Sequence, residues 1–341
     1  MKKVLFALAA VVALAACSKE ETIIADKGAA IGFDTFVENS TRSVDDKSLN
    51  NGNLATFGVF GTVTKAATAL IFDNVAVTGS GVGNSASWAY DAAYTQYWIA
   101  GAKYNFAAVA PYNDKYDVQF STTDFKTRLN FANNAETDLL YAQSAEITGL
   151  EGAVAGATTP ANGKVAFTFR HILSKVKFSF ENQYLSTGST IRVRDIVLKN
   201  AHETASVTLD ASTTDWTGHA GELPIEFGNA VSDTATAATA LEAIAQDDEL
   251  ESYNVRFIIP GKEHTYTVSF EVDVLYGETV VETYKHTASL KFTPAAGTAY
   301  DIKTVISHTN IDPDQAQEPI QFTVTEVNEW SDYQDKDATI D

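Results

Sequence analysis

The stretch Lys164 to Asn182, KVAFTFRHILSKVKFSFEN, decides how this chain is built. Val165, Phe167 and Phe169 alternate with Ala166, Thr168 and Arg170; further on, Val176, Phe178 and Phe180 alternate with Lys175, Lys177 and Ser179. Successive side chains of a β-strand point to opposite faces, so each half predicts a half-buried strand with one apolar face. Arg170-His171-Ile172-Leu173 interrupts the alternation between them. One strand is expected to close an N-terminal β-domain and the other to open a C-terminal one.

The 341 residues amount to two domains at roughly 100 to 200 residues each. With 45% hydrophobic and 11% aromatic residues the chain can fill real cores, so disorder is not expected. Acidic residues, 44, outnumber the 24 basic ones and give a net charge of −20. That charge repels phosphate backbones and anionic headgroups, and no run of Lys or Arg forms a basic patch, so nucleic acid is not an expected partner. It suits a protein that stays soluble and non-sticky outside the cell.

Lys2 and Lys3 precede the apolar run Val4 to Ala16 and then Cys17, the layout of a secretory signal peptide. The run is too short to cross a bilayer of about 30 Å as a helix. Leu14-Ala15-Ala16-Cys17 resembles the lipobox of bacterial lipoproteins, in which the thiol takes a diacylglycerol. Cys17 is the only cysteine, so lipidation would leave the exported chain without a disulfide. Ser18-Lys19-Glu20-Glu21 resembles the signal that sends some Gram-negative lipoproteins to the outer face of the outer membrane; a solvated tether is the alternative.

Ala29 to Val37 is the first strand candidate, with Ile31, Phe33, Thr35 and Val37 on one face. Glu38 to Asn53 is polar, has almost nothing to bury, and reads as an exposed loop. Strands resume at Thr56 to Thr64, Leu70 to Val77 and Trp88 to Tyr97, with a Gly-rich turn at Gly79 to Asn84. They continue through Tyr104 to Ala108, with Pro111 ending that strand. In the second half, strands are expected at Ile191 to Asn200, Ala205 to Leu209, Tyr253 to Ile259, Tyr266 to Tyr276, Glu278 to Phe292 and Tyr300 to Ser307. Tyr276-Gly277-Glu278 marks a tight hairpin. Ala235 to Gln246, ATAATALEAIAQ, is the one helical window, short and frayed because Asp247, Asp248 and Glu249 at its C-terminal end oppose the dipole.

Several segments together resemble the fimbrillin family, the lipoprotein-derived subunits of type V pili. Phe169 to Val176 is similar to its central F-x-H-x-L-S-K-V segment, Tyr97-Trp98 and Tyr104 to Tyr112 to its aromatic segments, and Asp138 to Ala142 to another short one. Pro294 to Tyr300 resembles the turn before a late strand, and Ile320, Phe322, Val324, Val327 and Trp330 have the spacing of the family's C-terminal strand. The resemblance implies a mainly β protein, with two transthyretin-like β-sandwich domains in tandem and at most one or two short helices. The expected division is a signal peptide at 1–17, a tether, first strand and processing loop at 18–53, an N-terminal domain at 54–172 and a C-terminal domain at 173–341. It also implies a lipid on Cys17, an arginine-directed cut between Arg42 and Ser43 (Lys47 offers a lysine-directed alternative), and polymerisation by strand exchange. Ile31 and Phe33 share their spacing with Ile320, Phe322 and Val324, so the C-terminal strand is the expected donor for the seat that the first strand leaves; completing its own C-terminal sheet is the alternative role.

The six histidines are dispersed and show no metal-ligand spacing, and no nucleophile elbow, phosphate loop or dinucleotide motif occurs. Catalytic, metal and cofactor sites are therefore not expected, and His171 reads as a structural hydrogen-bonding residue. The expected product is a cell-surface fimbrial subunit at the outer membrane that supports adhesion. Its partners are other pilus subunits, the outer membrane through the lipid on Cys17, and host or bacterial surface ligands. A glycan-binding surface lipoprotein with exposed aromatic pairs, or an uncut anchor or tip subunit, are the alternatives.

Overall fold

The computed structural model describes residues 29–37, 54–80, 87–149, 163–184, 188–232 and 234–327. The first half of the chain holds β1 (Gly32–Val37), β2 (Thr56–Thr64), β3 (Thr68–Ser80), β4 (Ser87–Tyr90), β5 (Lys103–Ala110), β6 (Asp117–Phe120), β7 (Thr127–Ala132), β8 (Leu140–Gln143), β9 (Ile147–Thr148) and β10 (Lys164–His171). The second half holds β11 (Ser174–Gln183), β12 (Ser189–Ala201), β13 (Thr204–Leu209), β14 (Thr214–Ala220), β15 (Leu223–Gly228), β16 (Ala230–Val231), β17 (Glu249–Ser252) and β18 (Arg256–Ile258). It ends with β19 (His264–Tyr276), β20 (Thr279–Phe292), β21 (Ala299–Ser307) and β22 (Thr323–Val327). Among the described residues the only helical element is one 3-10 turn, Ala92–Tyr94, so the chain is nearly all β.

The strands form four sheets. An eight-stranded sheet runs β1-β10-β8-β5-β2-β3-β4, with β9 beside β5. A six-stranded sheet runs β16-β17-β11-β21-β22, with β18 beside β11, and faces the four-stranded sheet β15-β12-β19-β20 across the C-terminal core. The fourth sheet, β14-β13-β7-β6, takes two strands from each half of the chain and bridges them. Each half repeats one device: its first strand pairs in parallel with a late one, β1 with β10 and β11 with β21.

The opening stretch forms β10 and β11, and Ile172 and Leu173 between them are fully buried. Val165, Phe167 and Phe169 fill the core of the first sheet; Val176, Phe178 and Phe180 fill the C-terminal one. Period two in the sequence thus becomes one buried apolar face in each sheet, although β11 is covered on its opposite face too, where Lys175 and Ser179 are buried.

Three local expectations are corrected. Ala235 to Gln246 forms no helix; it is turns and extended backbone whose polar groups are taken by neighbours. Ile244 N donates to Ile191 O at 2.6 Å, and Ile191 N donates back at 3.2 Å. Asn229 Nδ2 donates to Ala240 O and Asn182 Nδ2 to Ile244 O, each at 2.8 Å. These bonds satisfy the backbone while leaving Ile244 in the core, so weak helix propensity is overridden. The strand expected at Trp88 to Tyr97 stops at Tyr90, where Asp91 Oδ1 accepts Ala93 N at 2.9 Å and caps the 3-10 turn. Gly79 is not a turn but part of β3 opposite Trp88, whose ring would lie 2.8 Å from any Cβ there. The hairpin at Tyr276-Gly277-Glu278 joins β19 to β20, with Gly277 at φ +61°.

Candidate functional site

β1 lies at the edge of its sheet, bonded in parallel to β10 from Gly32 opposite Lys164 to Val37 opposite Phe169. Its inward residues nevertheless reach the centre of the core. Ile31 and Phe33 are each 1% exposed and Thr35 is 8% exposed. The Phe33 ring stacks on Phe167 at 5.8 Å and meets Phe72 at 5.4 Å, Tyr90 at 5.6 Å, Phe106 at 6.1 Å and Phe57 at 6.4 Å. Such aromatic contacts add to the roughly 1.5 to 3 kcal/mol of burying one large side chain. At the start of the strand, Ile31 N donates to Gln96 O at 2.9 Å, Tyr90 Oη donates to Ile31 O at 2.6 Å, and Trp98 N donates to Ala29 O at 3.1 Å. Asp34, on the opposite face, pairs with Lys164 at 3.1 Å. Thr35 Oγ1 is buried without a hydrogen-bond partner, which costs about 1 to 3 kcal/mol.

β22 lies at the edge of the six-stranded sheet, antiparallel to β21, with Ile302 opposite Val324 and Ala299 opposite Val327. Ile320, Phe322 and Val324 rest on the C-terminal core but are only partly buried. The Phe322 ring is 6.0 Å from Phe178 and 6.5 Å from Phe270. The same spacing of inward residues therefore occurs at two sheet edges, buried at Ile31, Phe33 and Thr35 along β1 and half-exposed at Ile320, Phe322 and Val324, of which Val324 lies within β22. Cys17, Arg42 and Ser43 lie outside the described residues.

The break between β10 and β11 joins the sheets. Arg170 Nη2 donates to Asp210 O at 2.8 Å and to Thr213 O at 2.7 Å, clamping the turn between β13 and β14, and its guanidinium sits 5.1 Å over the Tyr141 ring. His171 Nδ1 lies 2.7 Å from Oδ2 of Asp138, a carboxylate with no exposure. Ile172 O accepts Trp216 Nε1 at 2.9 Å, and Ser174 Oγ donates to Ala295 O at 2.6 Å. His171 thus serves the structural role its position suggests.

Tyr104 and Phe106 are buried and Trp98 is 7% exposed, so these aromatics are core residues. Among the described residues Tyr94 and Tyr276 are the strongly exposed aromatics, one in each half of the chain. No described group of His, Cys, Asp or Glu is placed to hold a metal ion, and no described helix is long and apolar enough to cross a membrane. Sequence spacing missed one cluster: His202, His219 and His264 meet in space, with His202 4.8 Å from His219 and 4.3 Å from His264 between ring centroids. They are far apart in the chain, so only strand pairing brings them together.

A family model described as fimbrillin-like matches residues 41–330, beginning beyond β1. No curated protein matches. A fimbrial protein from Bacteroides vulgatus is similar in structure, with 18% identity, a TM-score of 0.60, and coverage of 87% of this chain and 99% of that one. A cell adhesion protein of Parabacteroides distasonis, described as putative, matches at 9% identity and a TM-score of 0.49 over 88% and 97% of the two chains. The fimbrial anchor protein Mfa2 of Porphyromonas gingivalis matches at 12% and 0.37 over 88% and 97%. The first of these shares the fold described above, and the family match takes in most of the chain: it belongs to the fimbrillin-like family.

Proposed function

We propose that this chain is a structural subunit of a type V fimbria, exported as a lipoprotein on Cys17, cut after Arg42, and polymerised by strand exchange on the outer surface of the cell, where the fibre supports adhesion. The observation that carries the reading is the seat of β1: an edge strand with a single continuous ladder, yet with Ile31 and Phe33 at the centre of a core. Removing such a strand leaves an apolar slot and an unpaired edge, both unfavourable in water.

Ile320, Phe322 and Val324 fit that slot in the order Ile31, Phe33, Thr35. Moving them from partial to full burial recovers part of about 1.5 to 3 kcal/mol for each large side chain, and main-chain bonds lost to β21 are remade to β10 of the next subunit. Val324 in the place of Thr35 also removes the unpaired hydroxyl.

The test is Phe322→Asp in cells, with the uncut protein's melting as a control for folding. Processed subunits beginning at Ser43 in wild-type fibres, and no fibres from a folded Phe322→Asp protein, are expected. Fibres of normal length from Phe322→Asp would remove the C-terminal strand as donor. Assembled protein that still begins at Cys17 would remove the cut.

A further inference from the structure

The fold gathers three imidazoles at the seam between the bridging sheet and the C-terminal sheet. His202 comes from the turn between β12 and β13, His219 from β14, and His264 from the start of β19. Two of them are held by carbonyls: His219 Nε2 is 2.8 Å from Pro260 O, and His264 Nε2 is 2.6 Å from Asn200 O. A carbonyl only accepts, so both of these nitrogens carry protons. His202 Nε2 is buried with no partner. The charged groups facing His202 are His264 on β19, His219 on β14 and Lys262 in the loop before β19, all positive when ionised. Of the neighbouring acids, Glu263 pairs with Lys291 at 2.8 Å, and the Glu203 carboxyl lies beside Gly221. His171, by contrast, has the Asp138 carboxylate beside it.

The trio also marks where β14 docks. The Pro260–Lys262 loop packs on β14, with Trp216 Cβ 3.1 Å from any Cβ placed on Gly261. The rings lie against one another, two Nε2 positions are occupied by carbonyls, and no metal-holding arrangement exists here among the described residues. The chemistry left to the cluster is uptake of a proton by His202, whose Nε2 has no partner.

We propose that His202, His219 and His264 form a proton-operated latch, which in its neutral form holds β14 against the C-terminal sheet and on protonation of His202 releases it. A proton on His202 would place a charge with no acceptor at its buried nitrogen, beside two imidazoles and an ammonium. Burial first, then the fields of His264, His219 and Lys262, push this imidazole down from 6.5 to about 4. The docked form therefore keeps His202 neutral in a range where a released, solvated imidazole binds a proton. Docking is fully stable above about 6.5 and weakens as pH falls toward 4. Trp216 of β14 donates to Ile172 O and packs on Phe131 of β7, so releasing β14 loosens the joint between the halves. The latch is independent of strand exchange.

Hydrogen exchange on the full-length chain near pH 7 and near pH 5 tests it, after allowance for the intrinsic pH dependence of amide exchange. Amides of Thr214–Ala220 should lose protection in acid by about tenfold or more relative to those in the middle of β19. His202→Gln should keep β14 protected at both values. Equal changes in β14 and β19, or a wild-type acid response in His202→Gln, would overturn the proposal. Should His202→Gln not fold, the wild-type protein decides by ring proton resonances: His202 must titrate well below 6.5, in step with the exposure of β14, and a midpoint at 6.5 refutes the latch.

Discussion

Replacing Thr35 by Val should stabilise the uncut chain. Thr35 is the third inward residue of β1, 8% exposed, opposite Phe167 in the parallel register. Its hydroxyl oxygen is buried without a partner, while the rest of the side chain packs in the seat. Valine has nearly the same shape and no hydroxyl. The gain is the removed cost of an unsatisfied buried hydroxyl, about 1 to 3 kcal/mol, with a contribution below about 0.8 kcal/mol from the added methyl. Denaturant unfolding of the uncut protein should show a higher midpoint with an unchanged slope. After a cut at Arg42, the strand should leave its seat roughly tenfold more slowly for each 1.4 kcal/mol gained. An unchanged or lowered midpoint would mean that the hydroxyl is satisfied in solution. The advantage assigned to Val324 as the incoming residue would then disappear too.

Phe33→Ala should cost about 3 to 5 kcal/mol, because the ring is fully buried among five aromatics that cannot close over the void; calorimetry of the uncut chain measures it, and a loss under about 1 kcal/mol would show that β1 is not seated as described. Asp301→Asn should stabilise the protein at neutral pH. Burial holds the Asp301 carboxyl above its ordinary 3.8, although Ser179 and Lys177 oppose the shift. A raised folded-state value means that the ionised form is the strained one, so the amide's advantage is full at neutral pH and shrinks as acid protonates the wild-type carboxyl. Urea melts at neutral and mildly acidic pH should converge, and a variant destabilised at neutral pH would refute the sign.

Much of the local structure was legible because it depends on neighbours in the chain. Alternation placed β2 at Thr56–Thr64 to the residue, and it placed both strands of the central stretch. Tyr276-Gly277-Glu278 announced its hairpin by the same logic of turn chemistry. Failure came where distant groups outbid local propensity. ATAATALEAIAQ has helix-forming residues, but Asn182, Asn229 and Ile191 take its backbone groups and Ile244 is worth more in the core.

The sequence by itself determined strands such as β2, β10, β11 and β21, the apolar face of each strand of the central stretch, and that Ile31 and Phe33 share a spacing with Ile320 and Phe322. Period two is a property of adjacent residues and survives without any knowledge of partners. Only the tertiary structure decided that β1 runs parallel to β10 while β22 runs antiparallel to β21, that β6 and β7 join β13 and β14 in one sheet, and that His202, His219 and His264 meet. Those facts depend on which edges remain free once the cores are filled, a competition among all strands at once that no single segment encodes.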